Sequence, residues 1–392
     1  MIESRLERLR AELAANDIDV FVSLKLVNTY YLSGFTSLDT ARPTSYVRPI
    51  AVVVDASSAC LIVPLLDEEA AGHASHIRDI RCYTASPAAA AARDLVAERL
   101  RELGARRIAV EEDAINAEWA DFLRGTVPGG ELVYGRRWIE ALRLRKDETE
   151  IETLRVAAGL ADTAVAASLA ASAAGVAEIG AETQGLTALR GAAAATGDES
   201  SIVDAIPMVL CGPRSSMPHE FTTSRAMEHG ELMWHCWLVS YRGYWVENIR
   251  TGIVEESAAS FAGPFEVLRD SLLAGQEAAR PGATADDVYH AVMGVLKSRP
   301  VEGGVVLNRS GHGMGLEYHE PPFIEEGDET VLEPGVIITV EPGIWIPGTG
   351  GLALSNTLVI RDGDPEVLTR TPVDLYEAWG DRLEPAAVTA NP

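Results

Sequence analysis

The feature that most constrains this chain is a glycine-rich stretch with two histidines at residues 309–323, RSGHGMGLEYHEPPF. His312 and His319 lie seven residues apart, and in an extended segment an odd spacing directs two side chains to opposite faces. A turn or bulge must therefore intervene if the rings are to meet, and the glycines around His312 permit one. Glu341, in TVEPG at 339–343, ends an apolar run and would be a buried carboxylate that needs a partner. The alternative interpretation is structural: two histidines of the core and a glutamate at the end of a strand would give the same spacing.

Length and composition indicate a globular protein of two domains. The chain has 392 residues, of which 47% are hydrophobic and 23% charged, and this length is too great for one ordinary core. The net charge of −25 argues against nucleic acid or an anionic membrane as a partner, because both need a basic surface.

The cysteines and the N-terminus predict a cytoplasmic protein. The four cysteines form no CxxC pair and fit a reducing compartment better than a disulfide framework. The first residues, MIESRLERLR, lack the apolar core of a signal peptide. The Ala-rich run at 163–177 is short, and we interpret it as a packed helix.

Helix and strand signals alternate over residues 1–135. The patterns predict strands near 18–24, 50–54, 60–63 and 108–111, with helices near 2–14, 88–103 and 114–124. Such alternation favours an α/β domain with a mixed sheet. Two Ala-rich helices are predicted next, at about 148–172 and 178–196.

The residues of the central motif resemble those of a known protein family. GHGMGLEYHEPP followed by VEPG resembles the creatinase/aminopeptidase P family, and the match extends over both halves of the chain. The resemblance implies an α/β (α+β) protein with a creatinase-like N-terminal domain at 1–135, a linker at 136–150, and a catalytic domain of the pita-bread fold at 151–392.

The resemblance also implies residues of an active site. The stretch MVLCGPRSSMPHE delivers His219 where the family has a pocket histidine, and a histidine can transfer protons near neutral pH. Tyr46 and Arg48 correspond to an aromatic and an arginine that reach into the partner subunit's pocket and hold a substrate carboxylate. We therefore expect a homodimer whose active site is completed by the partner's N-terminal domain.

Five positions correspond to the metal ligands of the metal-dependent relatives. In this chain they read Cys236, Glu247, His312, Glu341 and Ser355, so that two of four expected carboxylates remain. Two divalent ions need more negative charge than that. A single Mn, Fe, Co or Zn ion on Glu247, His312 and Glu341 is the alternative to a metal-free site. In the metal-free case Cys236 and Ser355 would line the substrate pocket.

The leading functional expectation is a creatinase-like, metal-independent hydrolase without a cofactor. His219 would be its acid/base, Glu341 and Glu247 its supporting carboxylates, and His312 and His319 its hydrogen-bond donors, acting on a C–N bond of a small polar substrate with a carboxylate. One alternative is a Xaa-Pro dipeptidase or aminopeptidase with one divalent ion. A pita-bread binding protein without activity, or Cys236 as a nucleophile, are further alternatives.

Overall fold

The structure is a computed structural model, and it describes residues 2–37, 48–84, 87–127, 129–198, 202–256, 258–378 and 383–385. The chain divides into two units, Met1–Arg143 and Leu144–Pro392. This division falls within the 136–150 segment for which the sequence suggested a linker. Helix α6, Arg136–Leu144, occupies most of that segment.

A mixed six-stranded sheet forms the centre of the first unit, as the alternating signals predicted. Its spatial order is β4-β3-β2-β1-β5-β6, in which β2 pairs antiparallel with β1 and β3, and the other pairs are parallel. Runs of β-branched residues form the central strands because both faces are buried there. The strands are β1 Val20–Ser23, β2 Ala51–Asp55, β3 Ala59–Pro64, β4 Asp79–Tyr83, β5 Arg107–Val110 and β6 Glu131–Tyr134.

Helices cover this sheet and supply the rest of its core. The predicted helix at 88–103 has those bounds, and the Asn116 side chain caps the next helix by accepting from the Trp119 backbone N–H. The sequence did not indicate the short second and third helices. The helices before α6 are α1 Ile2–Ala15, α2 Leu26–Ser33, α3 Glu68–Ala74, α4 Ala88–Leu103 and α5 Ala117–Thr126.

The second unit contains two five-stranded sheets. One has the order β18-β17-β9-β8-β7, and the other β11-β10-β12-β15-β16, with β13 and β14 paired as a separate hairpin. The strands are β7 Val203–Cys211, β8 Leu232–Tyr241, β9 Tyr244–Val254, β10 Arg309–Gly313, β11 Glu320–Glu325, β12 Ile337–Val340, β13 Gly343–Ile346, β14 Gly350–Ala353, β15 Asn356–Val359, β16 Glu366–Val367, β17 Tyr376–Ala378 and β18 Leu383–Pro385.

Two long helices, α7 Glu148–Ala170 and α8 Glu178–Ala195, lie against the sheet that contains β8 and β9. A capping box of Asp147 and Glu150 starts α7. Small residues allow close packing, since a Cβ at Gly185 would come within 2.2 Å of the Trp237 ring. Within the described residues, α7 alone is long and apolar enough to cross a membrane, but half of its most apolar window is buried inside the protein.

Helices α9 Ala262–Ala278 and α10 Ala285–Ser298 pack on the β10–β12 side of the unit. Apolar side chains from these helices meet those of β12 and β15 in one buried cluster, which includes Phe265, Leu272, Val292, Ile338 and Leu358. This cluster supports β12, the strand that Glu341 directly follows and that pairs with β10, where His312 lies.

Candidate functional site

Strand β10 contains a bulge just before His312, and the turn that the sequence predicted between the two histidines lies at 315–319, where the backbone bends. Arg309 pairs with Glu325 and His312 with Phe323, so β10 has one more residue than β11 over this interval. Glycine is needed beside His312 because neighbouring backbone approaches closely. A Cβ at Gly311 would lie 2.1 Å from the Thr339 carbonyl oxygen. The His312 backbone N–H donates to the Thr339 hydroxyl at 3.2 Å.

The two histidine rings meet because the backbone bends between them. The ring centroids of His312 and His319 are 4.1 Å apart, and the ring planes are nearly perpendicular. Tyr318 packs edge-on against His319 at 4.9 Å and against Trp245 at 5.7 Å. His312 is buried and His319 is exposed, so the pair runs from the interior to the surface.

Glu247 enters the same space from the middle of β9. Thr357 on β15 fixes this residue, because its hydroxyl accepts from the Glu247 backbone N–H at 3.0 Å and donates to the Glu247 carbonyl at 2.9 Å. Glu341 follows β12, and its backbone N–H donates to the Ser310 carbonyl at 2.8 Å. Each carboxylate is thus anchored through its main chain.

Glu247, His312 and Glu341 form a three-residue cluster. One ligand atom from each lies within 4.8 Å of the others, and His312 Nε2 is 3.5 Å from Glu341 Oε1 and 3.9 Å from Glu247 Oε2. These separations exceed ordinary hydrogen-bond lengths, and they leave room between the three groups for one small cation.

The tautomer of His312 leaves a ring nitrogen with a lone pair that can bind such a cation. Its Nδ1 lies 3.1 Å from the Gly313 carbonyl, which can only accept, so Nδ1 carries the proton and Nε2 is left with a lone pair. Three buried polar atoms in this region have no hydrogen-bond partner among the described residues: His312 Nε2, Glu247 Oε1 and Ser355 Oγ. Unpartnered buried groups are costly, so a ligand that binds them would stabilise the site.

Burial and mutual repulsion shape the electrostatics of the cluster. Burial raises the pKa of Glu247, and the nearby Glu341 raises it further, against smaller opposing effects of His312 and Ser355. Burial also raises the pKa of Glu341. The pKa of His319 falls to about 4, chiefly through partial desolvation and then through the electrostatic effects of His312 and Arg309, which disfavour a charged ring. Two carboxyls that resist ionisation side by side can both ionise when a cation lies between them.

The remaining two of the five positions add little negative charge. Cys236 is fully buried on β8, and burial together with Glu247 and Glu341 raises its pKa well above the usual thiol range. A thiol that stays protonated is a poor nucleophile, which argues against Cys236 as the attacking group. Ser355 is also buried, and its backbone N–H donates to the Ile249 carbonyl at 3.1 Å. The donors therefore fit one divalent ion and do not fit two.

His219 lies on an exposed turn that is anchored from beneath. Arg214 on this loop donates to the Glu220 carboxylate and the Phe221 carbonyl at 2.9 and 2.8 Å. Fully buried Glu178 accepts from Arg214 and from the backbone N–H of Thr223. His219 is among the groups that lower the pKa of His319, after desolvation, His312 and Arg309. Arg48 is exposed in the first unit, and Tyr46 lies outside the described residues.

Sequence reasoning missed a buried ion pair below the histidines. Lys146 Nζ lies 2.6 Å from Glu320 Oε1, and both side chains are almost fully buried, at 2% and 4% exposed. Glu320 follows His319 directly and also accepts from the Glu317 backbone N–H at 3.3 Å, so the pair holds the loop that presents His319. The motif contains the acidic Glu320, but the sequence does not indicate that Lys146 is its partner, because the two residues are far apart along the chain.

Comparisons with known proteins agree with this architecture. Residues 152–362 match Metallopeptidase family M24, and residues 5–145 match the Creatinase/Prolidase N-terminal domain. A Xaa-Pro dipeptidase from Pyrococcus furiosus is 29% identical over 376 residues, covering 95% of this chain and 100% of that protein. A solved Xaa-Pro dipeptidase from Bacillus anthracis superposes with a TM-score of 0.83 at 26% identity, covering 96% of this chain and 100% of that one. The prolidase structure from Pyrococcus horikoshii gives 0.82 at 25% identity, covering 95% and 99%.

Proposed function

This chain belongs to metallopeptidase family M24, and we propose that it is a Xaa-Pro dipeptidase that works with one divalent metal ion on Glu247, His312 and Glu341. It has the pita-bread fold behind a creatinase-like N-terminal domain, and it is a hydrolase that acts on C–N bonds. The binding protein without activity that the sequence left open is therefore wrong.

The metal-independent, creatinase-like reaction that the sequence favoured is also wrong, as is the expectation of no cofactor. The family is one of metallopeptidases, and relatives that cover nearly the whole chain are Xaa-Pro dipeptidases. The expectation gave too much weight to Cys236 and Ser355. Cysteine and serine at these two positions remove the negative charge that a second ion would need, whereas the three donors for a first ion are intact.

The observation that carries the proposal is the arrangement of three ligand atoms within 4.8 Å of one another, with the His312 Nε2 lone pair and Glu247 Oε1 buried and unpartnered. Two carboxylates balance the charge of one divalent cation, and one imidazole completes a ligand set that suits Zn, Mn, Fe or Co. When bound, such an ion supplies Lewis acidity that makes the carbonyl of the scissile bond easier to attack.

The protein's own residues have distinct tasks in this proposal. Glu341, which keeps 22% of its side chain exposed, can accept a proton from the attacking water, whereas the more deeply buried Glu247 serves for binding alone. His319 lies at the exposed end of the pair of histidine rings and can donate an N–H hydrogen bond to the developing oxyanion. Tyr318 and Trp245 pack edge to face beside it and line one side of the site with aromatic rings.

His219 remains the proposed group for proton transfer to the leaving amine. Its support is an anchored loop position and an electrostatic effect on His319. Arg48, from the partner subunit, remains a proposed contact for the substrate, within a proposed homodimer.

The experiment is a hydrolysis assay with Ala-Pro, Ala-Ala and creatine as substrates. The enzyme is stripped with a chelator and then given Mn, Co, Zn or Fe(II). We expect Ala-Pro to be cleaved only after an ion is returned, and Ala-Ala and creatine much more slowly. Equal rates for Ala-Pro before stripping and after it would contradict the proposal.

A pair of variants separates a damaged site from a damaged fold. E341Q keeps the size of the side chain but removes its charge, and we expect it to lose activity. E326Q removes the charge of an exposed glutamate in the turn that follows β11, and we expect it to remain folded and to cleave Ala-Pro. Loss of activity in both variants, or in neither, would count against the assignment of Glu341.

A further inference from the structure

Glu178, the first residue of α8, is a fully buried carboxylate outside the three-residue cluster. Its two oxygens accept hydrogen bonds from four donors among the described residues. Oε1 accepts from the Cys211 backbone N–H at 3.1 Å. Oε2 accepts from the Thr223 backbone N–H, the Thr223 hydroxyl and Arg214 Nη1 at 3.0, 2.9 and 3.2 Å. A buried carboxylate needs such compensation, because its charge would otherwise destabilise the folded state.

These donors come from both limbs of the loop that carries His219. Cys211 and Arg214 precede the histidine and Thr223 follows it, so the carboxylate closes the loop at its base. Arg214 also reaches across, because its Nη1 donates to the Thr223 hydroxyl at 2.6 Å. Glu178, Arg214 and Thr223 together form a loop clamp.

The tip of this loop has little apolar packing of its own. Met217 and Phe221, on either side of His219, are 46% and 81% exposed. The entry limb has one further anchor, since the Ser215 carbonyl accepts from Trp234 Nε1 at 2.7 Å. Because side chains that stay in water contribute little hydrophobic stabilisation, hydrogen bonds at the base define where the tip lies.

We infer that Glu178 is a positioning residue, which through Arg214 and Thr223 holds the loop in the conformation from which His219 acts. The inference rests on the proposed function and on the proposed proton transfer by His219. Replacement of a buried ion pair by apolar side chains often costs no stability, so we attribute to this buried charge the specification of one loop conformation. A displacement of about 1 Å at a reacting group can slow a reaction by about 100-fold.

The test is a double-mutant cycle on the metal-loaded enzyme with Ala-Pro as substrate. E178Q keeps the shape of the side chain, but its amide NH₂ cannot accept from the donors of the clamp. We expect E178Q to lower kcat by about 10- to 100-fold with KM little changed, because the proton moves only in the transition state. H219A should lower kcat by about 100-fold or more. The double variant E178Q/H219A should be no slower than H219A, since a residue that acts through His219 then has nothing to position.

Two measurements separate positioning from general damage. The groups that hold Glu178 lie outside the metal cluster, so E178Q should bind Mn(II) as tightly as the wild type in isothermal titration calorimetry. D287N is the matched control, because Asp287 at the start of α10 also accepts from a threonine, through the Thr284 backbone N–H and hydroxyl at 2.8 and 3.0 Å. We expect D287N to lower the melting temperature by about 2–4 °C with kcat unchanged.

A milder variant applies the same test if E178Q fails to fold. T223V removes one hydroxyl donor of the clamp and keeps the charge of Glu178 compensated by Arg214 and by two backbone N–H groups. We expect T223V to lower kcat by about 3- to 10-fold, the equivalent of one hydrogen bond, and to add nothing to the loss in H219A.

The outcomes distinguish this inference from the proposed function. A variant E178Q that melts earlier but keeps the wild-type kcat would overturn the positioning role and leave the dipeptidase proposal standing. Losses that multiply in E178Q/H219A would do the same, because Glu178 would then act independently of His219. An H219A enzyme as fast as the wild type would overturn the inference together with the role of His219. A wild-type enzyme that cleaves Ala-Pro with no metal tested would overturn the proposed function as well.

Discussion

At the scale of single residues, the site depends on which buried atoms find a partner within the protein. The Gly313 carbonyl accepts a hydrogen bond from His312 Nδ1, and the Thr357 hydroxyl forms hydrogen bonds with the backbone N–H and carbonyl of Glu247. Nε2 of His312 and Oε1 of Glu247 have no hydrogen-bond partner among the described residues. Because a buried polar atom without a partner destabilises the folded state, the apo protein carries a cost that a bound cation removes.

His312 can be tested by removal of its ring. We expect H312A to bind Mn(II) or Zn(II) more than about 100-fold more weakly, since even residues behind the ligands contribute about 10- to 100-fold. Isothermal titration calorimetry measures this change. His290 is exposed on α10, and H290A is the control that should bind the metal as the wild type does. Equal metal affinity in H312A and wild type would remove His312 from the ligand set.

At the scale of elements, the loop between β10 and β11 is held by the buried pair of Lys146 and Glu320. Removal of one partner leaves the other charged and buried. We expect K146M to lower the free energy of unfolding of the second unit by about 3–5 kcal/mol, and the double variant K146M/E320M to restore most of it. Urea denaturation of the apo protein measures both changes.

A neighbouring pair gives the control for that experiment. Arg145 and Glu333 lie 2.8 Å apart, but their side chains are 56% and 52% exposed. R145A should therefore change the free energy of unfolding by less than about 1 kcal/mol. A K146M variant as stable as R145A would mean that Glu320 finds another partner or becomes protonated at little cost.

A second network joins the start of α7 to β16 and should make stability depend on pH. Arg155 and Arg361 both donate hydrogen bonds to the Glu366 carboxylate, with separations of 2.7–3.0 Å. The hydrogen bond from Arg155 is the main cause that lowers the pKa of Glu366 to about 2. A lowered carboxyl pKa adds stability above the unfolded-state value near 4.5, and this stability is lost as pH falls towards 2.

We expect E366Q to destabilise the protein by about 1–2 kcal/mol at pH 7, after allowance for partial solvent screening. The difference from wild type should shrink between pH 5 and pH 3. D121N, which removes an exposed partner of Arg124 on α5, should change stability by less than about 0.5 kcal/mol at either pH. A difference for E366Q that stays constant over this range would contradict the account.

The sequence predicted elements with strong local patterns and missed those defined by distant contacts. The helix at 88–103 and the strands β1, β2, β3 and β5 have clear patterns, and they were predicted to within a few residues. The strands β4 and β6 were not predicted. Strands such as β13 to β16 are only two to four residues long, and pairing rather than pattern defines them. Likewise the motif identified His312, His319 and Glu341, but the contacts of Lys146 with Glu320 and of Glu178 with Arg214 depend on tertiary packing.

At the scale of the whole molecule, family membership corrected the chemistry inferred from individual residues. Two substituted ligand positions, Cys236 and Ser355, suggested that metal chemistry was lost. The match to a metallopeptidase family instead favours a metal site, and the three remaining donors fit one ion. A cytoplasmic location and the homodimer stay predictions.

The homodimer can be measured directly. We expect light scattering to give a mass of twice 42.0 kDa. R48A should raise the KM for Ala-Pro while the melting temperature stays within about 2 °C, because Arg48 is exposed and its removal costs little stability. A fully active monomer would exclude a pocket completed by a second chain.

The central claim is that one metal ion per chain makes this protein a dipeptidase. The most direct measurement is a titration of the metal-free enzyme with Mn(II) or Zn(II), in which bound ions and the rate of Ala-Pro hydrolysis are followed in the same samples. The account predicts that activity is absent without metal, rises in proportion to bound ions and reaches its plateau at one ion per chain. Full activity in the metal-free enzyme, or a plateau only at two ions per chain, would contradict it.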